Sequence, residues 1–243
     1  MKIPSTFSVM YEDNHLLVVN KSAGVLVQGD ATGDTPLVEH CKEYIKHKYM
    51  KPGKVFLGVV HRLDRPVSGL VVFARTSKAL ERMNKLFRDR KVQKTYWAIV
   101  KNRPRKPQDH LVHWLIKDPA KNKTTAFDKA RENAQRAVLD YRLIGSANDH
   151  HLLTVEPQTG RPHQIRVQLA SIGCPIRGDV KYGYKQPNAD GSIHLHARKL
   201  YFEHPVKRKP VEFVAGVPPT DFWEQYLIFD KPSVRDHKLD LLN

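Results

Sequence analysis

The chain has 243 residues, 40% of them apolar, enough for one sizeable core or one domain with two lobes. Lysine and arginine number 41 against 25 acidic residues, and a formal net charge of +16 points to a polyanionic partner. No long apolar run, basic amphipathic helix, signal-type apolar segment after Met1, four-ligand zinc spacing or phosphate-binding glycine loop is present, which argues against membrane, export, structural zinc and nucleoside-triphosphate chemistry.

Residues 7–10 and 16–20 read as two short strands around a Glu12-Asp13-Asn14 hairpin turn, and 23–27 as an extended piece punctuated by Gly24. Thr35-Pro36 opens a helix, Thr35 as cap and Pro36 in the first turn, with Leu37, Cys41, Tyr44, Ile45 and Lys48 at helical spacing to about Tyr49. Cys41 and Cys174 stand far apart without a Cys-x-x-Cys, the pattern of free thiols in a reducing cytoplasm.

Next comes Gly58-Val59-Val60-His61-Arg62-Leu63-Asp64-Arg65-Pro66-Val67-Ser68-Gly69. Val59-Val60 and 70–73 read as strands, and 65–69 as the turn, because Pro66 fixes φ and Gly69 permits a positive one. Asp64 is thus pinned on a loop between Arg62 and Arg65, cations that favour the charged form of a carboxylate. A pinned carboxylate can be a nucleophile, a general base or a metal ligand; the plainer alternative is an Arg–Asp pair that ties down a turn.

Thr76 or Ser77 caps a second helix with Leu80, Met83, Leu86 and Phe87 as its buried stripe and a mostly basic outer face. Gln93–Val100 alternates as a strand, Thr95, Trp97 and Ile99 on one face and Tyr96, Ala98 and Val100 on the other; a tyrosine there is ordinarily core. The basic stretches 101–106 and 117–123 read as loops with candidate phosphate contacts, and 124–127, 136–144 and 151–156 as further strands.

Pro162 is placed in the first turn of a helix whose core face is Ile165, Leu169 and Ile172 and which ends at Gly173. His163 and Arg166 share another face, and Thr159, Gly160 and Arg161 at the helix start can hold a phosphate or a carboxylate. Residues 193–202 form a strand with His194 and His196 on one face, which without a third ligand nearby falls short of a metal site. A basic turn at 207–209, a strand at 211–214 and a helix at 221–229 complete the reading, with 230–243 as a polar tail after a single unit over 1–229. About nine short strands that often follow one another directly describe a mixed or antiparallel sheet.

These pieces together resemble the RluA family of RNA pseudouridine synthases. The resemblance rests on Tyr11-Glu12-Asp13-Asn14-His15-Leu16-Leu17-Val18-Val19-Asn20-Lys21, His61-Arg62-Leu63-Asp64-Arg65 with Ser68-Gly69, and Lys94-Thr95-Tyr96. It continues through Thr159-Gly160-Arg161 with His163-Gln164-Ile165-Arg166, Gly178-Asp179 with Tyr182-Gly183, and Leu195-His196-Ala197 with His204-Pro205. Ser22, Pro66-Val67 and Pro162 depart from the family's usual residues at positions the chemistry does not use. The N-terminal S4 RNA-binding module of many relatives is not expected here, so RNA grip falls to the catalytic unit's own charge.

The resemblance implies an α+β fold, a mixed, largely antiparallel bent central sheet flanked by helices and loops. It implies isomerisation of uridine to pseudouridine in structured RNA, rRNA or tRNA, after base flipping, with no metal and no organic cofactor. The chain would work in the cytoplasm, by default as a monomer, away from any membrane. Asp64 would be the essential carboxylate, Arg166 its partner with Arg161 as the alternative, and Tyr96 the residue that stacks on the base and relays a proton. Arg62 would replace the flipped uridine in the helix and Ile165 would floor the base, with Arg65, Arg161 and His163 at the substrate. Two rival readings stay open: an RNA-binding protein with no use for Asp64, and a hydrolase with Asp64 as nucleophile, which would want a second carboxylate.

Overall fold

The computed structural model describes residues 6–30 and 32–230. All eleven strands form one sheet, β1 (Phe7–Glu12), β2 (Leu16–Lys21), β3 (Gly58–Val59), β4 (Ser68–Ala74), β5 (Gln93–Val100), β6 (Gln108–Asp118), β7 (Lys123–Phe127), β8 (Gln135–Ala147), β9 (His150–Pro157), β10 (Leu195–Glu203) and β11 (Pro210–Val214). The main path runs β1-β2-β4-β10-β5-β9-β8-β6-β7, with β3 added to β4 and β11 to β10. Among the described residues only β4 and β10 pair in parallel, and every other strand pairing is antiparallel. The mixed, largely antiparallel α+β architecture expected from the sequence is the one observed.

The first hairpin closes on Asp13, whose carboxylate accepts the His15 and Leu16 amides at 2.8 Å each, the short side chain standing in for a backbone turn. Strand β2 is apolar on both faces because both are covered. Leu17 and Val19 enter the main core, while Leu16 and Val18 enter a second core on the other face. Helix α1 (Leu37–Lys48) packs Leu37, Cys41 and Ile45 into the main core, and α2 (Ser77–Arg88) packs Met83 into the second. Both cysteines are buried and free.

The sheet divides at one place. Strands β4 and β10 share only two residue pairs, Ser68 with His196 and Gly69 with Ala197. Beyond them β4 takes β3 as its neighbour, and β10 takes β11. Gly69 sits at φ +114°, and a Cβ there would stand 2.4 Å from the Ala197 carbonyl, so only glycine lets the two backbones meet. The Asp64 loop ends at this seam.

Four elements differ from the sequence reading. Strand β6 went unread, because both its faces are apolar: Leu111 and Leu115 bury on one side while Val112, Trp114 and Ile116 line the other. Thr35 does not cap α1; the Leu37 and Val38 amides donate instead to the Leu26 and Val27 carbonyls of the extended piece, so backbone does the capping. Helix α3 (Gln164–Ser171) begins after Pro162, with His163 left-handed at its N-cap. The last helix is one turn, α4 (Asp221–Glu224), followed by a 3-10 turn at Leu227–Phe229. Of the tail read over 230–243, only Asp230 falls within the described residues. Among them no helix is long and apolar enough to cross a membrane.

Candidate active site

The Asp64 loop is held by its backbone and its apolar neighbours. Val67 N–H donates to the Asp64 carbonyl at 3.0 Å, the Arg65 carbonyl accepts from Gly24 N–H at 2.8 Å, and the Pro66 carbonyl accepts from Ile193 N–H at 3.0 Å. Leu63 and Val67 bury in the main core on either side. Lys21, fully buried at the end of β2, donates through Nζ to the Ser22, Val25 and Arg65 carbonyls. Burial pulls its pKa down to about 7, against the nearby charge of Asp64. His61 is structural: its buried Nε2 accepts Val72 N–H at 3.0 Å, and burial with the Lys94 charge lowers its pKa to about 3, leaving a neutral acceptor.

Asp64 itself keeps 30% of its side chain exposed and meets α3. Arg166 Nη1 donates to Asp64 Oδ2 at 2.9 Å, joining residues 102 apart in sequence. The rest of that guanidinium is spoken for: Nε and Nη2 donate to the two oxygens of buried Asp179 at 2.7 and 2.8 Å, a bidentate pair. The Tyr182 ring lies 5.0 Å from the guanidinium carbon. Burial alone would lower the Arg166 pKa, but Asp179 and Asp64 outweigh it and raise it. Gly178 makes room for this arrangement at φ +83°, where a Cβ would stand 2.5 Å from Asn188 Nδ2.

His163 stands beside this pair, its Nε2 3.9 Å from Asp64 Oδ2 and its Nδ1 2.7 Å from the Tyr182 hydroxyl. Tyr96 is half-buried against the main core, and burial together with the Asp64 charge raises its pKa. Ile165 buries on the same core. Asp64, Arg166 and His163 therefore meet, with Tyr96 near enough to feel the Asp64 charge and Ile165 in the core one residue before Arg166.

The other named residues do not converge there. Arg161 donates through Nε to the Arg136 carbonyl, so Arg166 is the partner of Asp64. Arg65 turns to the Gly24 carbonyl and to Asp34. Arg62 is exposed without a hydrogen bond or ion pair among the described residues. The Thr159 hydroxyl and the Arg161 amide, read as anion ligands, both donate to the Gln164 Oε1 side chain, so that turn is closed on itself. His194 and His196 pack on Trp223, and Ser68 bridges to His196 at 2.9 Å. Asp179, Tyr182, Lys21 and Gln164 were quoted as motif residues without a role. Only the fold shows that the first two orient Arg166 and His163.

On the opposite face, where Trp97 projects, a groove of about 1900 Å³ lies between the end of α2 and Phe229-Asp230 and reaches Gly160-Arg161. Two of its acids are paired with cations, Glu212 with Lys199 and Asp230 with Arg198, and Asp140 is hydrogen-bonded to His110 and Gln158. Arg90, Lys94 and Arg142 carry no ion pair among the described residues.

Residues 15–171 match the family described as RNA pseudouridylate synthase. Ribosomal large subunit pseudouridine synthase D of Zymomonas mobilis is 34% identical over 220 residues, 86% of this chain and 69% of that protein. Ribosomal large subunit pseudouridine synthase C of Vibrio cholerae is 30% identical over 219 residues, 85% of this chain; the match spans 64% of that relative's length. Among solved structures, human RNA Pseudouridylate Synthase Domain Containing 4 superposes with a TM-score of 0.75 at 26% identity, covering 93% of this chain and 95% of that one. With the matched region spanning both the Asp64 loop and Arg166, the chain belongs to the RNA pseudouridylate synthase family.

Proposed function

We propose that this chain isomerises uridine in structured RNA to pseudouridine, with Asp64 as the reactive carboxylate. The N1–C1′ bond breaks, the uracil turns, C5 joins C1′ and then gives up its hydrogen as a proton, and the freed N1 takes one. Positive charge that develops at C1′ is met by a carboxylate held in place before the reaction. The observation that carries the reading is the 2.9 Å contact from Arg166 to Asp64, with the same guanidinium clamped by Asp179, so that its direction is fixed. Tyr96 and Ile165 on the same side suit a flipped base, one as a stacking ring and the other as an apolar floor. Exposed Arg62 is free to enter the helix the base leaves.

The groove on the Trp97 face, across the sheet from Asp64, with its unpaired Arg90, Lys94 and Arg142, suits phosphates of the same RNA away from the target nucleotide. Relatives named for the ribosomal large subunit favour rRNA as the substrate class, with tRNA as the alternative. The hydrolase reading loses support from Asp179: this second carboxylate is 1% exposed and both its oxygens are occupied by Arg166, so it is turned away from any leaving group.

Asp64→Asn tests the reading. Tritium release from RNA carrying 5-tritiated uridine should vanish while RNA affinity and the melting temperature stay near those of the parent. Undiminished release would refute the assignment, and free uracil as product would favour a hydrolase.

A further inference from the structure

We propose that His163 is a positioning residue for Asp64: its Nε2–H, fixed in that tautomer by Tyr182, is a second donor to Asp64 Oδ2, which leaves Oδ1 as the oxygen offered to the substrate. The inference rests on the reading of Asp64 as the reactive group.

The groups that face the two ring nitrogens favour one tautomer. A tyrosine hydroxyl has one hydrogen and two acceptor sites. Thr124 N–H donates to the Tyr182 oxygen at 2.8 Å, occupying one site. His163 Nδ1 lies 2.7 Å from the Tyr182 oxygen, which the Thr124 hydroxyl also meets while donating its own proton to the Pro162 carbonyl. Nε2 faces the Asp64 carboxylate, which only accepts, so the ring hydrogen of a neutral His163 is favoured on Nε2, with Nδ1 accepting the Tyr182 proton.

The surroundings keep that ring neutral. Burial lowers the His163 pKa; Asp64 opposes this, while Arg166 on its own helix, Lys181 after Asp179 and Lys117 on β6 add to it. Only 9% of the side chain is exposed.

The backbone is committed to the arrangement as well. His163 has φ +54°, a left-handed conformation that non-glycine residues adopt sparingly and that concentrates at functional sites. Its carbonyl still accepts Val167 N–H, the first bond of α3, so the conformation turns the ring toward Asp64 while starting the helix that carries Arg166.

Both donors approach the same oxygen, Arg166 Nη1 at 2.9 Å and His163 Nε2 at 3.9 Å. The second contact closes to a hydrogen bond with a movement of about 1 Å, of the kind that unliganded sites make when substrate binds.

The experiment pairs a spectrum with kinetics. In protein labelled with ¹⁵N-histidine, the two-bond nitrogen–proton spectrum, with His163 assigned by its loss in His163→Gln, should show the Nε2–H form. Tyr182→Phe should shift it toward a mixture of tautomers. In turnover of a uridine-containing RNA, His163→Phe should lower kcat by about 10- to 100-fold with KM nearly constant, the scale of a mispositioned reactive group. His163→Gln, whose amide can donate from a similar place, should recover most of the loss. A wild-type Nδ1–H or imidazolium spectrum at neutral pH overturns the inference, as does an unchanged kcat in His163→Phe or an equal loss in the Gln and Phe variants. If His163→Phe does not fold, His163→Gln against wild type and the tautomer spectrum decide. A wild-type chain that forms no pseudouridine overturns the functional reading instead, and the spectrum still reports where His163 holds its proton.

Discussion

At the scale of single residues the site is a contest for one guanidinium. Arg166 serves two carboxylates, and the buried one, Asp179, takes the bidentate share. Tyr96 adds a ring whose hydroxyl is kept protonated by burial and by the Asp64 charge. Tyr96→Phe keeps the ring and loses the hydroxyl, so RNA affinity should hold while single-turnover rates fall by about 10²-fold or more, the usual worth of a positioned proton donor or acceptor. A normal specific activity with a lowered melting temperature would mark Tyr96 as core. The Asp64–Arg166 pairing was legible in the sequence because two motifs bracket it. The role of Asp179 was not, since a separation of 13 residues says nothing until Gly178 turns the chain. Not all motif residues belong to the chemistry. Asp13 caps the first hairpin, and Glu12 pairs with Arg75 and Lys48, so this part of the resemblance reports scaffold.

At the scale of elements, the Asp64 loop owes its shape to a lysine. Lys21 satisfies three carbonyls from a fully buried position, and one of them belongs to Arg65. Lys21→Met keeps the bulk and takes the ammonium from the Ser22 and Val25 carbonyls, while the Arg65 carbonyl keeps Gly24 N–H. With about 1–3 kcal/mol for each orphaned buried group, a loss of at least about 2 kcal/mol is expected, some 4–8 °C in melting temperature. Activity should fall with it, and an unchanged melt would show that water replaces the ammonium. Strands with one dominant period were readable, and β5 matched its residues, Gln93–Val100. Strand β6 was not, because two apolar faces erase the alternation. The start of α1 was misplaced because its cap is a distant backbone segment that a local reading cannot weigh. The start of α3 was misplaced because a left-handed histidine, not a proline, begins it.

At the scale of the whole molecule, charge governs two observables. A net charge of +16 makes RNA affinity an electrolyte effect: binding should weaken steeply between about 50 and 200 mM salt, and Arg90→Glu with Arg142→Glu should flatten the slope. A salt-independent affinity would remove the groove from the account. Acid acts through Asp13. Burial works against its ionised form, but Lys207, the His15 and Leu16 amides and the Tyr11 hydroxyl prevail, and its pKa is depressed. A folded-state value below the unfolded one, about 3.9, gives stability that is complete above that pH and is lost as pH falls further. Urea melts of wild type and Asp13→Asn should therefore differ at pH 7 and begin to converge only as pH falls below about 4. The two rungs between β4 and β10 carry a different consequence. They stitch chain from the first third to chain from the last, contacts of high sequence separation that form late. The Asp64 loop, which ends at this seam, should therefore take shape with the final closure of the sheet. Partly folded chains on the ribosome or in denaturant should be catalytically silent, and recovery of turnover during refolding should lag behind recovery of strand and helix signals.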